Sequence, residues 1–168
     1  MKEELIPPTK IVVRKSKVKG RGVFATQDLE EGEVVEECHF IISGCAKDMQ
    51  DKELLRYVFS IFHDKHLTPE ENQGLDFRSK LAMFLDDEEI QNSFIEEIKE
   101  LGYKDISEIF SSATVLGFGM IYNHSKNNNI DYSIDYKDFV FRYTTNQKIK
   151  KNQELFINYG DEERKDLK

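Results

Sequence analysis

Strand-forming runs stand at both ends of this chain and a stretch of helical period lies between them. The middle therefore reads as an insert within a β-rich chain. Ile11-Val12-Val13, Val23-Phe24-Ala25 and the segment from Val34-Val35 to Phe40-Ile41-Ile42 are β-branched or aromatic and bounded by turn residues, so they read as strands. Asp28-Leu29-Glu30-Glu31-Gly32-Glu33 reads as a tight turn with Gly32 at positive φ. Towards the other end, residues 132–136 and 138–144 read as two more strands with Lys137 at the hairpin tip. Ile149-Lys150-Lys151-Asn152-Gln153-Glu154 then repeats the earlier turn pattern, with Asn152 in place of Gly32. Asparagine tolerates positive φ best after glycine, so the same turn type is expected twice.

The middle has another character. Leu54, Leu55, Val58, Phe59 and Phe62 fall at helical spacing and predict a helix over residues 47–62. Thr68-Pro69-Glu70-Glu71 is a helix start, with a capping hydroxyl, proline at the first position and glutamate at the third. Gly74 predicts that this helix is short or broken. Ile90, Phe94, Ile98 and Leu101 form another helical stripe, closed by Gly102. The reading is a single β-rich α+β domain over residues 1–168 with a mostly helical insert at about residues 45–112.

Composition narrows the function classes. No window approaches the ~20 apolar residues that span a bilayer, and the first ten residues hold no signal-peptide core, so no membrane partner is expected. That points to an intracellular protein, cytoplasmic, or nuclear in a eukaryotic host. Two cysteines, Cys38 and Cys45, are too few for a thiolate zinc cluster and read as buried small hydrophobes or free thiols. The net charge of −8, from 24 basic and 32 acidic residues, argues against sequence-independent nucleic-acid binding and suits a basic partner.

Each candidate site block is ambiguous alone. Gly20-Arg21-Gly22 lacks the third glycine of a dinucleotide fingerprint and the Gly-Lys-Ser/Thr of a phosphate loop; it is a strand turn or a close backbone approach to a ligand. Asn123-His124-Ser125 ends the apolar stretch from Val115 to Tyr122, where its donors and acceptors need partners; a polar turn or an ordered ligand would serve. Tyr159 ends the run Leu155-Phe156-Ile157 and by itself reads as a core aromatic whose hydroxyl finds a backbone partner. His63 and His66 with Asp64 suggest a metal pair but lack a third ligand, and no metal is expected.

Together the order Gly-x-Gly-Val-Phe-Ala, Asn-His-Ser and Glu-Leu-x-x-Asn-Tyr-Gly resembles a SET domain protein-lysine methyltransferase over about residues 10–161. The form is compact, without the cysteine-rich flanking modules. The resemblance implies a fold of short strands and small sheets with a threaded C-terminal segment that brings Tyr159 to Asn123. It implies S-adenosylmethionine held by Gly20, Arg21, Gly22, Asn123 and His124, with Tyr57 packed near it. Tyr159 would be the catalytic tyrosine beside the methyl group, and Tyr143 and Ile157 would line the substrate channel. The implied partner is a lysine-containing, basic protein, and the chain itself would be a monomer or homodimer. Lys126-Asn127-Asn128-Asn129 replaces the family's Cys-x-Pro-Asn, Met120 an arginine, and Ile157 a Phe or Tyr. These departures motivate an alternative, a catalytically degenerate SET-like module that binds a basic protein.

Overall fold

The computed structural model describes residues 2, 4–43, 54 and 57–159. Cys45, Leu55, Gly160 and most of the helix expected over residues 47–62 lie outside the described residues. Two compact units are present, residues 1–41 with 115–168, and residues 42–114.

In the first unit β1 (Ile11–Lys15) and β2 (Arg21–Ala25) form a hairpin. β2 pairs with β9 (Glu154–Ile157), which pairs in turn with the two-residue β6 (Asn123–His124), giving the order β1-β2-β9-β6. The last strand of the chain thus lies between two earlier ones, antiparallel to β2 and parallel to β6. β3 (Val34–Ser43) pairs with β8 (Val140–Thr145), and β8 with β7 (Ile130–Asp135), all antiparallel. The β7–β8 connection is a four-residue loop, since Asp135 opposes Val140. Tyr136, Asp138 and Phe139 leave the strands that the sequence pattern assigned them, because Asp138 N–H donates to Asp135 Oδ1 at 3.1 Å and Phe139 turns to φ 55°.

The two turns expected to be alike are alike, and they face each other. Gly32 stands at φ 79° and Asn152 at φ 69°. Leu29 and Ile149 exchange both backbone hydrogen bonds, at 2.8 and 3.0 Å. Around them Gly32 N–H donates to Thr145 O as Asn152 N–H donates to Ala25 O, and Thr145 N–H to Glu33 O as Ala25 N–H to Gln153 O. This local two-fold ties the β2–β3 turn to the β8–β9 turn and buries Leu29 and Ile149.

In the second unit β4 (Phe59–Phe62) pairs antiparallel with β5 (Phe110–Val115). Residues 59–62 are therefore a strand where the apolar spacing predicted a helix. A short apolar run fits either period, and the β5 ladder, with Ile61 and Phe62 buried, decides it. α1 (Pro69–Phe84) opens on the expected capping box of Thr68 and Glu71 but runs unbroken through Gly74. Glycine there costs about 1 kcal/mol of propensity, which the cap and the burial of Leu75 and Ala82 offset. α2 (Glu88–Glu100) starts at an Asp87 cap, buries Phe94 and Ile98, and gives way to Gly102 at φ 93°. Phe62, Leu75, Ala82, Phe94, Ile98 and Ile109 make this unit's core.

Candidate active site

β6 is the edge strand of its sheet. Ser125 N–H donates to Ile157 O at 3.0 Å, so by the two-residue alternation of a strand Asn123 also faces β9. His124 then directs its own N–H and C=O away from that ladder. The Asn123 side chain turns towards the β1–β2 hairpin, where its Nδ2 donates to Arg21 O at 3.0 Å and to Glu154 Oε1 at 2.8 Å. The other carboxylate oxygen of Glu154 accepts from Ser16 Oγ at 3.0 Å. A Cβ on Gly22 would stand 2.1 Å from Glu154 Oε1, so only glycine leaves room for this carboxylate. Gly20 serves differently: it stands at φ 51° with open space where a Cβ would be.

The sequence shows Glu154 only as the first residue of the Glu-Leu-x-x-Asn-Tyr-Gly block, with no task of its own. It opens a strand and so looks like a solvated end. Only the pairing of β9 with β2 sets it beneath Gly22. Asn129, the one residue of Lys126-Asn127-Asn128-Asn129 that coincides with the family's Cys-x-Pro-Asn, has a visible job in the structure. Its side-chain amide donates to Glu154 O at 2.9 Å and accepts from Phe156 N–H at 2.8 Å, fixing β9 like an extra strand.

Tyr159 meets the block 35 residues upstream through its backbone, its N–H donating to His124 Nδ1 at 3.1 Å. In that bond His124 Nδ1 is the acceptor. The Tyr159 hydroxyl donates to the Tyr122 carbonyl, and the Tyr159 and His124 rings lie 5.2 Å apart. Tyr159 is 55% exposed, so its ring borders solvent while its hydroxyl is anchored.

Behind this edge the surroundings are buried. Tyr122 stacks on Tyr143 at 4.8 Å, and Tyr143 Oη donates to Gly119 O at 3.2 Å. Burial, reinforced by neighbouring acidic groups, holds both phenols well above the usual tyrosine range, so they stay protonated. Tyr143 and Ile157 are both fully buried, and Cys38 is a buried free thiol. Tyr57 belongs to the 42–114 unit, where it is half exposed and its N–H donates to Leu54 O. Gly20, Arg21, Gly22, Asn123, His124 and Tyr159 are the residues that the β2-β9-β6 edge gathers.

His63, Asp64 and His66 form a closed loop in the second unit. Asp64 Oδ1 accepts from His66 N–H at 2.8 Å, and the buried Asn72 amide bonds the Asp64 backbone at both N–H and C=O. Among the described residues no group of three or more His, Cys, Asp or Glu side chains is placed to hold a metal ion. Nor is any described helix long and apolar enough to cross a membrane.

The SET domain family profile matches residues 20–160. This chain belongs to the SET domain family. No curated protein matches it. Among solved structures it is similar to a Plasmodium falciparum protein described as a histone methyltransferase, at 18% identity and TM-score 0.52, covering 92% of this chain and 96% of that one. It is also similar to a humanized mutant of the Chaetomium thermophilum Polycomb Repressive Complex 2 bound to the inhibitor GSK126, at 20% identity and TM-score 0.50. That match covers 90% of this chain and only 15% of the other. At such identities these likenesses establish the fold. The sheets, the threaded β9 and the pairing of β9 with the Asn-His block are those of a SET domain.

Proposed function

We propose that this SET domain transfers a methyl group from S-adenosylmethionine to the side-chain amine of a lysine in a protein. The observation that carries the reading is the parallel β6–β9 pairing, which seats Tyr159 against His124 at the edge of the Gly20–Gly22 hairpin. The residues fit the cofactor: His124 offers an outward N–H and C=O for a heterocycle edge, and Gly20 an open backbone. Gly20, Arg21, Gly22, Asn123 and His124 would hold its adenosine and amino-acid parts. When bound, S-adenosylmethionine supplies a methyl carbon activated by a sulfonium.

The chain's own groups would do the rest. A lysine amine must be neutral to attack, and removing its proton at pH 7 costs about 4–5 kcal/mol. An apolar channel lowers that cost because desolvation disfavours the ammonium form. Tyr143 and Ile157, both buried and uncharged, are proposed as part of its wall. The Tyr159 hydroxyl donates a hydrogen bond to the Tyr122 carbonyl, leaving its oxygen lone pairs to accept from the amine N–H. Holding the lone pair of nitrogen in line needs no covalent intermediate, and positioning accounts for much of the rate. The net charge of −8 favours a basic protein segment as substrate.

Labelled cofactor incubated with the pure protein and a cell lysate tests this. Wild type should label proteins on lysine, and Tyr159→Phe should lower the rate by about 10- to 100-fold. Absence of Tyr159-dependent labelling across varied lysates would sink the proposal.

A further inference from the structure

Glu36 is a buried carboxyl for which the methyl-transfer scheme has no use. It is 1% exposed and among the described residues forms no ion pair. Leaving an uncompensated carboxyl inside a core costs stability, so its retention asks for a purpose.

Its placement is specific. β3 carries a register shift between Val34 and Glu36, and Val35, Glu36, Glu37 and Cys38 are buried in succession instead of alternating. Such bulges re-aim a side chain, and here the carboxyl turns into the segment that leads to Asn123. One oxygen, Oε1, accepts from Phe118 N–H at 2.8 Å; the other, Oε2, accepts from Tyr122 Oη at 3.2 Å. Gly117 makes room for it, at φ 73° and with a would-be Cβ only 2.7 Å from Glu36 Oε1. Across the ladder Glu36 faces Tyr143, whose ring stacks on Tyr122. The carboxyl therefore holds both ends of the turn between Phe118 and Tyr122, which closes on itself through Ile121 N–H to Phe118 O at 2.8 Å.

Tyr122 is thereby fixed at two points of opposite kind. Its side chain donates to Glu36, and its backbone carbonyl accepts from the Tyr159 hydroxyl. We infer that Glu36 is a positioning residue for methyl transfer: through Phe118 and Tyr122 it fixes the carbonyl that orients the Tyr159 hydroxyl. The inference rests on the proposed methyltransferase function for its kinetic consequence, but its structural content concerns Tyr159 alone.

The test uses the full chain with Glu36→Ala and Glu36→Gln, read by kinetics and by NMR of ¹³Cζ-labelled tyrosine. The chain has seven tyrosines, and the Tyr159 signal is identified by its loss in Tyr159→Phe. Glu36→Ala should lower kcat by about tenfold or more while KM for S-adenosylmethionine stays within about twofold, and should shift the Tyr159 signal. Glu36→Gln keeps an acceptor for Phe118 N–H and a polar partner for Tyr122, so it should rescue kcat to within about threefold and restore the signal. A wild-type kcat or an unmoved Tyr159 signal in Glu36→Ala overturns the inference, as does a glutamine variant as impaired as the alanine one. Should the alanine variant not fold, Tyr122→Phe removes only one of the bonds. It should lower kcat by about three- to tenfold and shift the Tyr159 signal, and wild-type behaviour there is equally fatal. If wild type transfers no methyl group, the proposed function fails, while the NMR signal still decides the role of Glu36.

Discussion

Gly20 and Gly22 look interchangeable in the sequence, two glycines flanking Arg21, yet the structure gives them different work. Gly20 is needed for its backbone, at φ 51° with nothing near its missing side chain. Gly22 is needed for its emptiness, since a Cβ would press on Glu154 Oε1 at 2.1 Å and on Asn123 Nδ2 at 3.0 Å. Alanine at either position should destabilise the fold by a similar amount, about 1 kcal/mol. Only Gly22→Ala should also push Glu154 off Asn123, and so lower S-adenosylmethionine affinity by about tenfold. Thermal unfolding paired with calorimetric titration separates the two; equal affinity losses would contradict the division of labour. The glycine block was legible as a site, whereas the carboxylate beneath it was not. Glu154 lies 138 residues from Ser16 and 31 from Asn123, and no local pattern signals a partner that only strand pairing delivers.

At the scale of elements, everything at the site depends on where β9 lies. That strand is short, four residues, and its neighbours come from distant parts of the chain. Asn129 secures it by bonding the backbone at Glu154 and Phe156 from a buried position. Asn129→Ala should leave a part-buried N–H and C=O without these bonds and cost about 1–3 kcal/mol in urea unfolding. Asn127, exposed on the same loop, should change stability by under about 0.5 kcal/mol when replaced by alanine. A small effect at Asn129 would mean that β9 is held by its two ladders alone. The strands and turns of the first unit were readable because β-branched runs and positive-φ residues act locally: Gly32 and Asn152 mark the two turns, and Ile11, Val23 and Val34 the strands. Residues 59–62 misled because four residues of mixed aromatic and β-branched type carry no period of their own. Their state is set by β5, some fifty residues on.

Over the whole molecule, adjacent glutamates on β3 are poised to titrate in opposite senses. Burial works against the Glu37 carboxylate, but Lys2, Arg142 and the Ile6 N–H outweigh it and hold its pKa below the ordinary 4.5. Glu33 beside Lys10 and Asp28 beside Lys150 are lowered too, the hydrogen bonds from those lysines being the largest cause in each. Groups of this kind contribute stability that is present above their unfolded pKa and lost as pH falls through the folded one. Glu36 has the reverse sign. Desolvation is the largest influence on it, hydrogen bonds from Phe118, Cys38 and Tyr122 only partly oppose that, and its pKa lies above 4.5. The groups that act on it, Phe118, Cys38 and Tyr122, bring no cation to hold its charge. Its ionisation therefore weakens the fold as pH rises through its folded pKa. Thermal stability of the wild type should climb as pH increases through the acid range and then bend downward as Glu36 ionises. Glu36→Gln removes the second limb alone. Calorimetric scans from about pH 3 to about pH 8 should show variant and wild type running in parallel below about pH 4, with the variant's Tm gaining on the wild type's above it. A Tm difference constant across that range would show that Glu36 titrates alike in the folded and unfolded chain, whereas one still widening at the alkaline end would show that it keeps its proton in the fold and does its positioning as a neutral acid.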